Sequence, residues 1–415
     1  MTSYLRFSLA NARFLAFGTL AATLSGFGQT FYIAIFGGEL RAAFDLTHGE
    51  YGLLYSLATL GSGLLIIWAG RQLDRMPLPR FVTFVGLGVA LGCLLLASAQ
   101  TAVMLGLALF LLRFCGQGLF THVSATSMGR YFDANRGKAV SIAAKGLPLG
   151  EAIMPAIAVA LIAAIGWRQT WYLSAAFMLL LAIPLLLWLL RGQGRREEAH
   201  MAHRRSQAEE PGVNTAARQW TRAEVLRDPR FYRVLPVMMA APLTVTGMLF
   251  HLAALADGKG WSMGWLAGSF TGFALAHVAG LLVAGPLLDR HGARPLLRGF
   301  LWPMAAGLAI VATVDQPAAA WLFMALMGLS LGGAATLLGA LWPQLYGVAH
   351  LGAIRALVHA TLILSTAITP VAIGVALDGG LSMEAIALML AGYLVGATVL
   401  AWTAVAPRPQ AEKTA

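Results

Sequence analysis

The sequence is poor in charge. Of 415 residues only 11% are Asp, Glu, Lys or Arg, against 58% hydrophobic, and the mean hydropathy is +0.72. A soluble domain needs roughly 25% charged residues to cover its surface, so a string of soluble domains is excluded and lipid is the expected solvent. Acid is scarcer than base, 18 against 29, leaving a net charge of +11. That excess sits in the loops between apolar runs, which is a membrane-topology signal rather than a nucleic-acid surface. Cysteine is almost absent. Cys93 and Cys115 both fall inside apolar runs, which excludes a disulfide framework or a cysteine metal site. No cleavable signal is visible, because the run flanked by Arg6 and Arg13 continues too long for one. GLSLGGAATLLG at 328–339 lacks the lysine of a nucleotide loop and reads as small-residue helix packing. No cofactor and no metal are therefore expected. With no nucleophile beside a base in or near the apolar runs, neither is an enzyme.

What the chain does have is apolar runs and 46 glycines. Crossing a hydrocarbon core of about 30 Å takes roughly 20 apolar residues as helix. Twelve such spans are expected, near 14–38, 50–70, 81–99, 101–127, 138–164, 168–190, 233–255, 264–286, 296–314, 317–341, 354–376 and 383–405. The chain also repeats itself. GRQLDRMPLPR at 70–80 returns as GPLLDRHGARP at 285–295, so that Gly70, Leu73, Asp74 and Arg75 recur as Gly285, Leu288, Asp289 and Arg290. The same offset of 215 carries Tyr131 to Tyr346, Gly137 to Gly352 and Pro155 to Pro370. One fixed offset across half a chain means a duplicated unit. Two parallel halves with a site between them is the plan of one class of transporters.

Lys and Arg collect in alternate loops, with Arg71, Arg75 and Arg80, then Arg130, Arg136 and Lys138, and later Arg290, Arg294 and Arg298. Those loops are expected in the cytoplasm, and both termini with them. Residues 191–232 are polar and read as a cytoplasmic linker, with little order near 195–215. The expected division is a six-helix bundle over 1–190, this linker, and a second bundle over 233–415. Within TRAEVLRDPRFYR, Thr221 and Glu224 have the spacing of a capping box and predict a short interfacial helix.

These residues resemble the major facilitator superfamily, and within it the monocarboxylate-porter and oxalate/formate-antiporter-like branch. The second hairpin, with Gly285, Asp289, Arg290, Gly292 and Arg294, is similar to the superfamily's Gly-x3-Asp-Arg-x-Gly-x-Arg signature. The first departs from it, having Pro77 where the second glycine usually stands. LLRFCGQG at 111–118 looks like the span-4 Arg-x-x-Gln-Gly motif, slightly shifted. RYFDANRGKAVSIAAKGLPLGEAIMP at 130–155 and PQLYGVAHLGAIRALVHA at 343–360 look like the monocarboxylate-type loops into spans 5 and 11. The resemblance implies an all-α fold of twelve membrane helices in two pseudo-symmetric bundles of six. It also implies a monomer in a bacterial inner membrane, working by alternating access.

Ionisable residues inside apolar spans are costly and are functional candidates by default. Arg113 lies some twelve residues into span 4, too deep to snorkel easily. It is a candidate to bind an anionic substrate or to pair with an acid. Glu151 on span 5 is the candidate acid, either as a proton-coupling element or as half of a structural ion pair. Lys145 has two readings, substrate contact and snorkelling to the cytoplasm. His277 and His359 read either as packed histidines or as titrating cavity groups. Gln29, Thr30 and Tyr32 follow the helix-loosening Ser25-Gly26-Phe27-Gly28, and Gln29 offers a neutral hydrogen bond. Trp342 and Tyr346 read as an aromatic belt.

In the hairpins, Asp74 and Asp289 are candidates for a cytoplasmic latch that accepts hydrogen bonds from arginine and from helix amides. Gly292 suits a tight turn there, and Pro77 can replace a glycine only where φ is negative. The branch's span-8 arginine is missing, since His277 and Leu281 occupy the places for its Asp and Arg. The expected function is secondary transport of a small organic anion, a monocarboxylate first, with protons or by exchange. Export of drugs or amphipathic metabolites is the alternative. A non-transporting membrane sensor ranks lower, because linker and tail are too short for a signalling domain.

Overall fold

Apolar chain in lipid must satisfy every amide and carbonyl within itself, and helices do so segment by segment. The computed structural model describes residues 2–74, 76–132, 135–192, 219–347 and 350–404, and no strand occurs among them. Ten of its helices have the length and hydropathy to cross a membrane: α3 Leu78–Ser98, α4 Ala102–Tyr131, α5 Arg136–Ile165, α6 Trp167–Leu190, α7 Pro229–Phe250, α8 Met263–His291, α9 Pro295–Thr313, α10 Ala318–Tyr346, α11 Leu351–Asp378 and α12 Met383–Thr403. An eleventh, α1, is the pair Ala12–Gly28 and Thr30–Phe44, bent by 47° at Gln29. The remaining apolar run forms α2, His48–Ala69, whose 22 residues give about 33 Å of helix. With the ten helices and the bent pair it brings the long apolar helices among the described residues to the number the sequence leads one to expect.

The duplication shows in the helix starts. Helices that begin at His48, Leu78 and Arg136 have counterparts beginning at Met263, Ala293 and Leu351, each 215 residues later. The hairpin turns differ as their residues require. Gly292 has φ 74°, in the left-handed region that favours glycine. Pro77 at the matching place has φ −56° and caps α3 instead.

Capping residues set several helix starts. Thr47 and Glu50 form a reciprocal box at the start of α2, with Thr47 N–H donating to Glu50 Oε2 at 2.9 Å and Glu50 N–H to Thr47 Oγ1 at 3.2 Å. Thr221 and Glu224 form another, and Arg222–Arg227 is the short helix expected there. The rest of the expected linker, 193–218, lies outside the described residues. Trp342 and Tyr346 are not an exposed belt: both are buried, beneath the segment before α7 and the first turn of α7 itself. Trp220 N–H donates to the Tyr346 carbonyl at 3.1 Å, and the Trp220 and Phe231 rings pack on Tyr346 and Trp342.

Contacts divide the chain into two units. One comprises Met1–Thr215, Leu249–Thr271 and Ala367–Gly380; the other comprises Ala216–Met248, Gly272–Thr366 and Leu381–Ala415. In the first unit α3 packs on α4 and α6; in the second α9 packs on α10 and α12.

Candidate functional site

Two local departures from regular helix build the site. In α1 the turn tightens over Ser25–Gly28, and Gln29 is extended at φ −80° and ψ 152°, which frees the Gly28 carbonyl from the helix ladder. In α4 the stretch Leu112–Phe120 is π-helical, a local widening common at functional sites. The two irregular stretches meet. A methyl group on Gly28 would run into the Leu112 carbonyl, so the approach depends on glycine.

Arg113 enters the space so formed and is only 2% exposed. Its Nε donates to Thr59 Oγ1 at 3.1 Å, and its Nη1 to the Gly28 carbonyl at 3.2 Å and Thr30 Oγ1 at 3.5 Å. Its Cζ lies 4.8 Å from the centre of the Tyr55 ring. Tyr55 is itself held by a 2.8 Å hydrogen bond between its hydroxyl and Thr30. These partners are all neutral, and Glu151, the expected acid, is not among them. Hydrogen bonds to a charged group contribute about 1.5–3 kcal/mol each, and a desolvated cation–π contact about 2 kcal/mol. Together they offset a desolvation cost of several kcal/mol without neutralising the charge. What results is a buried, fixed cation.

The other expected residues are placed as follows. Glu151 is buried on α5, and His277 is buried on α8 with its ring 6.1 Å from that of Phe273. Gln29 is half-buried at the break in α1, while Lys145 and His359 are exposed. Tyr32 is engaged with other residues: its hydroxyl is 3.5 Å from Ser174 Oγ, and its ring packs on Phe27, Phe36 and Trp171.

In the first hairpin the Gly70 carbonyl lies 3.3 Å from His122 Nε2, and Arg130 Nη1 donates to the Leu73 carbonyl at 3.2 Å. Arg130 thus ties the hairpin to α4. Arg75 lies outside the described residues, as do the side chains of Asp74 and Arg294. Asp289 and Arg290 are exposed in the last turn of α8, beside Gly285 and Gly292.

Sequence reasoning offered Thr30 but missed Tyr55 and Thr59. A signal was there: Tyr51, Tyr55, Thr59 and Ser62 recur at helical spacing along α2, and all are buried. A polar stripe on one face of a membrane helix marks a face turned from lipid.

Fold and site define a helical, polytopic membrane protein with a buried cation at the meeting of two interrupted helices. The sequence profile of the Major Facilitator Superfamily matches residues 18–271, and the chain belongs to that family of transporters. Against curated proteins the sequence finds no match. Among solved structures it is similar to a bacterial homologue of the human lysosomal transporter Spinster, inward-facing and occupied, at TM-score 0.67 and 16% identity, covering 95% of this chain and 96% of that one. It is also similar to the Escherichia coli xylose transporter XylE, inward open, at TM-score 0.69 and 15% identity, covering 97% and 98%. A third similar structure is the nucleoside transporter NupG, at TM-score 0.68 and 12% identity, covering 94% and 99%. At these identities the likeness concerns the fold.

Proposed function

We propose that this transporter moves a small organic monoanion, a monocarboxylate first, by alternating access, and that Arg113 binds the anionic group. The observation that carries this reading is the Arg113 guanidinium, 2% exposed, with every hydrogen bond ending on a neutral oxygen. A membrane-buried cation is costly and marks a ligand or ion path. A carboxylate supplies the missing countercharge in bidentate geometry. The buried Glu151 and His277 are the candidates for coupling to protons. Lys145, His359, Gln29 and Tyr32 take secondary parts in binding. Gly70, Asp74, Arg75, Gly285, Asp289, Arg290, Gly292 and Arg294 form the cytoplasmic gate. The protein sits as a monomer in a bacterial inner membrane, with its termini in the cytoplasm and its two halves bounded as the sequence divides them.

A second reading, export of amphipathic compounds, draws on the aromatic rings of the first unit, among them Phe27, Phe31 and Phe36, which pack on Tyr32, Phe270 and Trp171. Uptake of a panel of radiolabelled carboxylates into proteoliposomes, with and without an inward proton gradient, separates the readings. One carboxylate should accumulate, and Arg113→Gln should abolish its uptake. Equal uptake by the variant would remove Arg113 from the site. No carboxylate uptake at all, with resistance conferred on cells, would replace the anion by the exported compound.

A further inference from the structure

At the opposite end of α2 from the hairpin, a second carboxylate is engaged. The first amides of any helix lack partners within it. In α2 the Thr47 side chain takes the Glu50 amide, and Asp378, at the C-terminus of α11, takes two more. His48 N–H donates to Asp378 Oδ1 at 2.9 Å, and Gly49 N–H to Oδ2 at 2.8 Å. A carboxylate on the amides of a helix N-terminus gains from the hydrogen bonds and from the helix dipole together. The backbones around it fit closely: a methyl group on Gly374 would strike the His48 carbonyl. His251 Nε2 is 2.8 Å from the Pro370 carbonyl one turn below.

The contact is continuous with the anion site. Arg113 lies against Tyr55, whose ring is 4.5 Å from that of Phe250; Phe250 stacks on Tyr51 at 4.7 Å and meets His251 at 5.0 Å. The His251 ring is in turn 5.9 Å from that of His48. From Arg113 to Asp378 there is an unbroken run of packed rings and hydrogen bonds.

We propose that Asp378 is a gate residue: its carboxylate, bound to the His48 and Gly49 amides, latches the pathway shut on that side. Phe250 transmits the state of the Arg113 site to this latch. The inference rests on the alternating-access reading, in whose orientation this side is external. The sequence gives each helix an Asp at its C-terminal end, Asp74 after α2 and Asp378 on α11. Asp74 is the candidate for a cytoplasmic latch, and Asp378 supplies the external one. Opening to that side requires both bonds to part, and they must re-form for the pathway to close.

Full-length protein in lipid nanodiscs provides the test, by hydrogen exchange over residues 46–53 and by spin-label distance between Ala43→Cys and Ser382→Cys. Both native cysteines are buried and stay unlabelled. Asp378→Asn keeps the shape of the side chain but removes its charge, and Gly374→Ala forces the backbones apart without touching Asp378. Each should speed exchange at 46–53 by about tenfold, the factor that corresponds to one such charged contact, and should populate a longer label distance. Phe250→Ala should do the same with Asp378 intact. If exchange or distance stays unchanged in both of the first two variants, Asp378 is not a latch. If only Phe250→Ala is silent, the link to Arg113 falls. None of these readouts needs a substrate, so they can fail separately from anion uptake.

Discussion

Arg113 differs from an ordinary membrane arginine in having several neutral partners and no acid. Its planar fork reaches Thr59 from Nε and Gly28 and Thr30 from Nη1 at once, which a lysine ammonium on a flexible stem cannot copy. Arg113→Lys is therefore expected to lower kcat/KM for carboxylate uptake by more than about tenfold despite keeping the charge. Tyr55→Phe keeps the ring over the guanidinium and removes the hydroxyl that bonds to Thr30. It should cost about 1 kcal/mol, or roughly fivefold. No loss in either variant would show that charge alone matters at this site. Depth and residue type made Arg113 legible in the sequence. Its partners were not, because Thr59, Thr30 and Gly28 stand 54, 83 and 85 positions away, and no local spacing encodes such distances.

At the scale of elements, the close crossing of α1 and α4 depends on glycine. Gly28→Ala sets a methyl against the Leu112 carbonyl and is expected to cost about 1–3 kcal/mol, read as a lower unfolding temperature by intrinsic tryptophan fluorescence. Gly396→Ala on α12 meets nothing within 4 Å and should raise that temperature, since alanine in a helix interior gains about 0.5–1 kcal/mol over glycine. The same shift in both variants would refute the crossing as a constraint. Boundaries were the legible part of the elements. The capping box at Thr221 and the break after Ser25 were both readable, because caps and breakers act on their own neighbours. The π-helical widening of α4 was not, since it answers to the helix packed against it. The burial of Trp342 and Tyr346 was misread for a similar reason: the Trp220 ring that covers Tyr346 comes from another part of the chain.

For the whole molecule, the sidedness of the latch follows from the loop charges. Orientation has its own check: green fluorescent protein fused after residue 415 should fluoresce in bacteria, and alkaline phosphatase fused there should be inactive. The reverse result would invert the sidedness of the latch.

Hydropathy, loop charge and the 215-residue repeat were enough to determine the lipid solvent, the twelve spans and the duplicated plan. Each of these is a sum or a periodicity over neighbouring residues, so a linear sequence carries it. Only the tertiary structure decided what the buried charges face. Arg113 rests on hydroxyls, a carbonyl and a ring rather than on Glu151. Asp378 binds amides 329 and 330 residues away. The physical reason is that burial makes any unsatisfied charge or amide expensive, and folding relieves that cost with whichever partner the packed helices bring within about 3 Å.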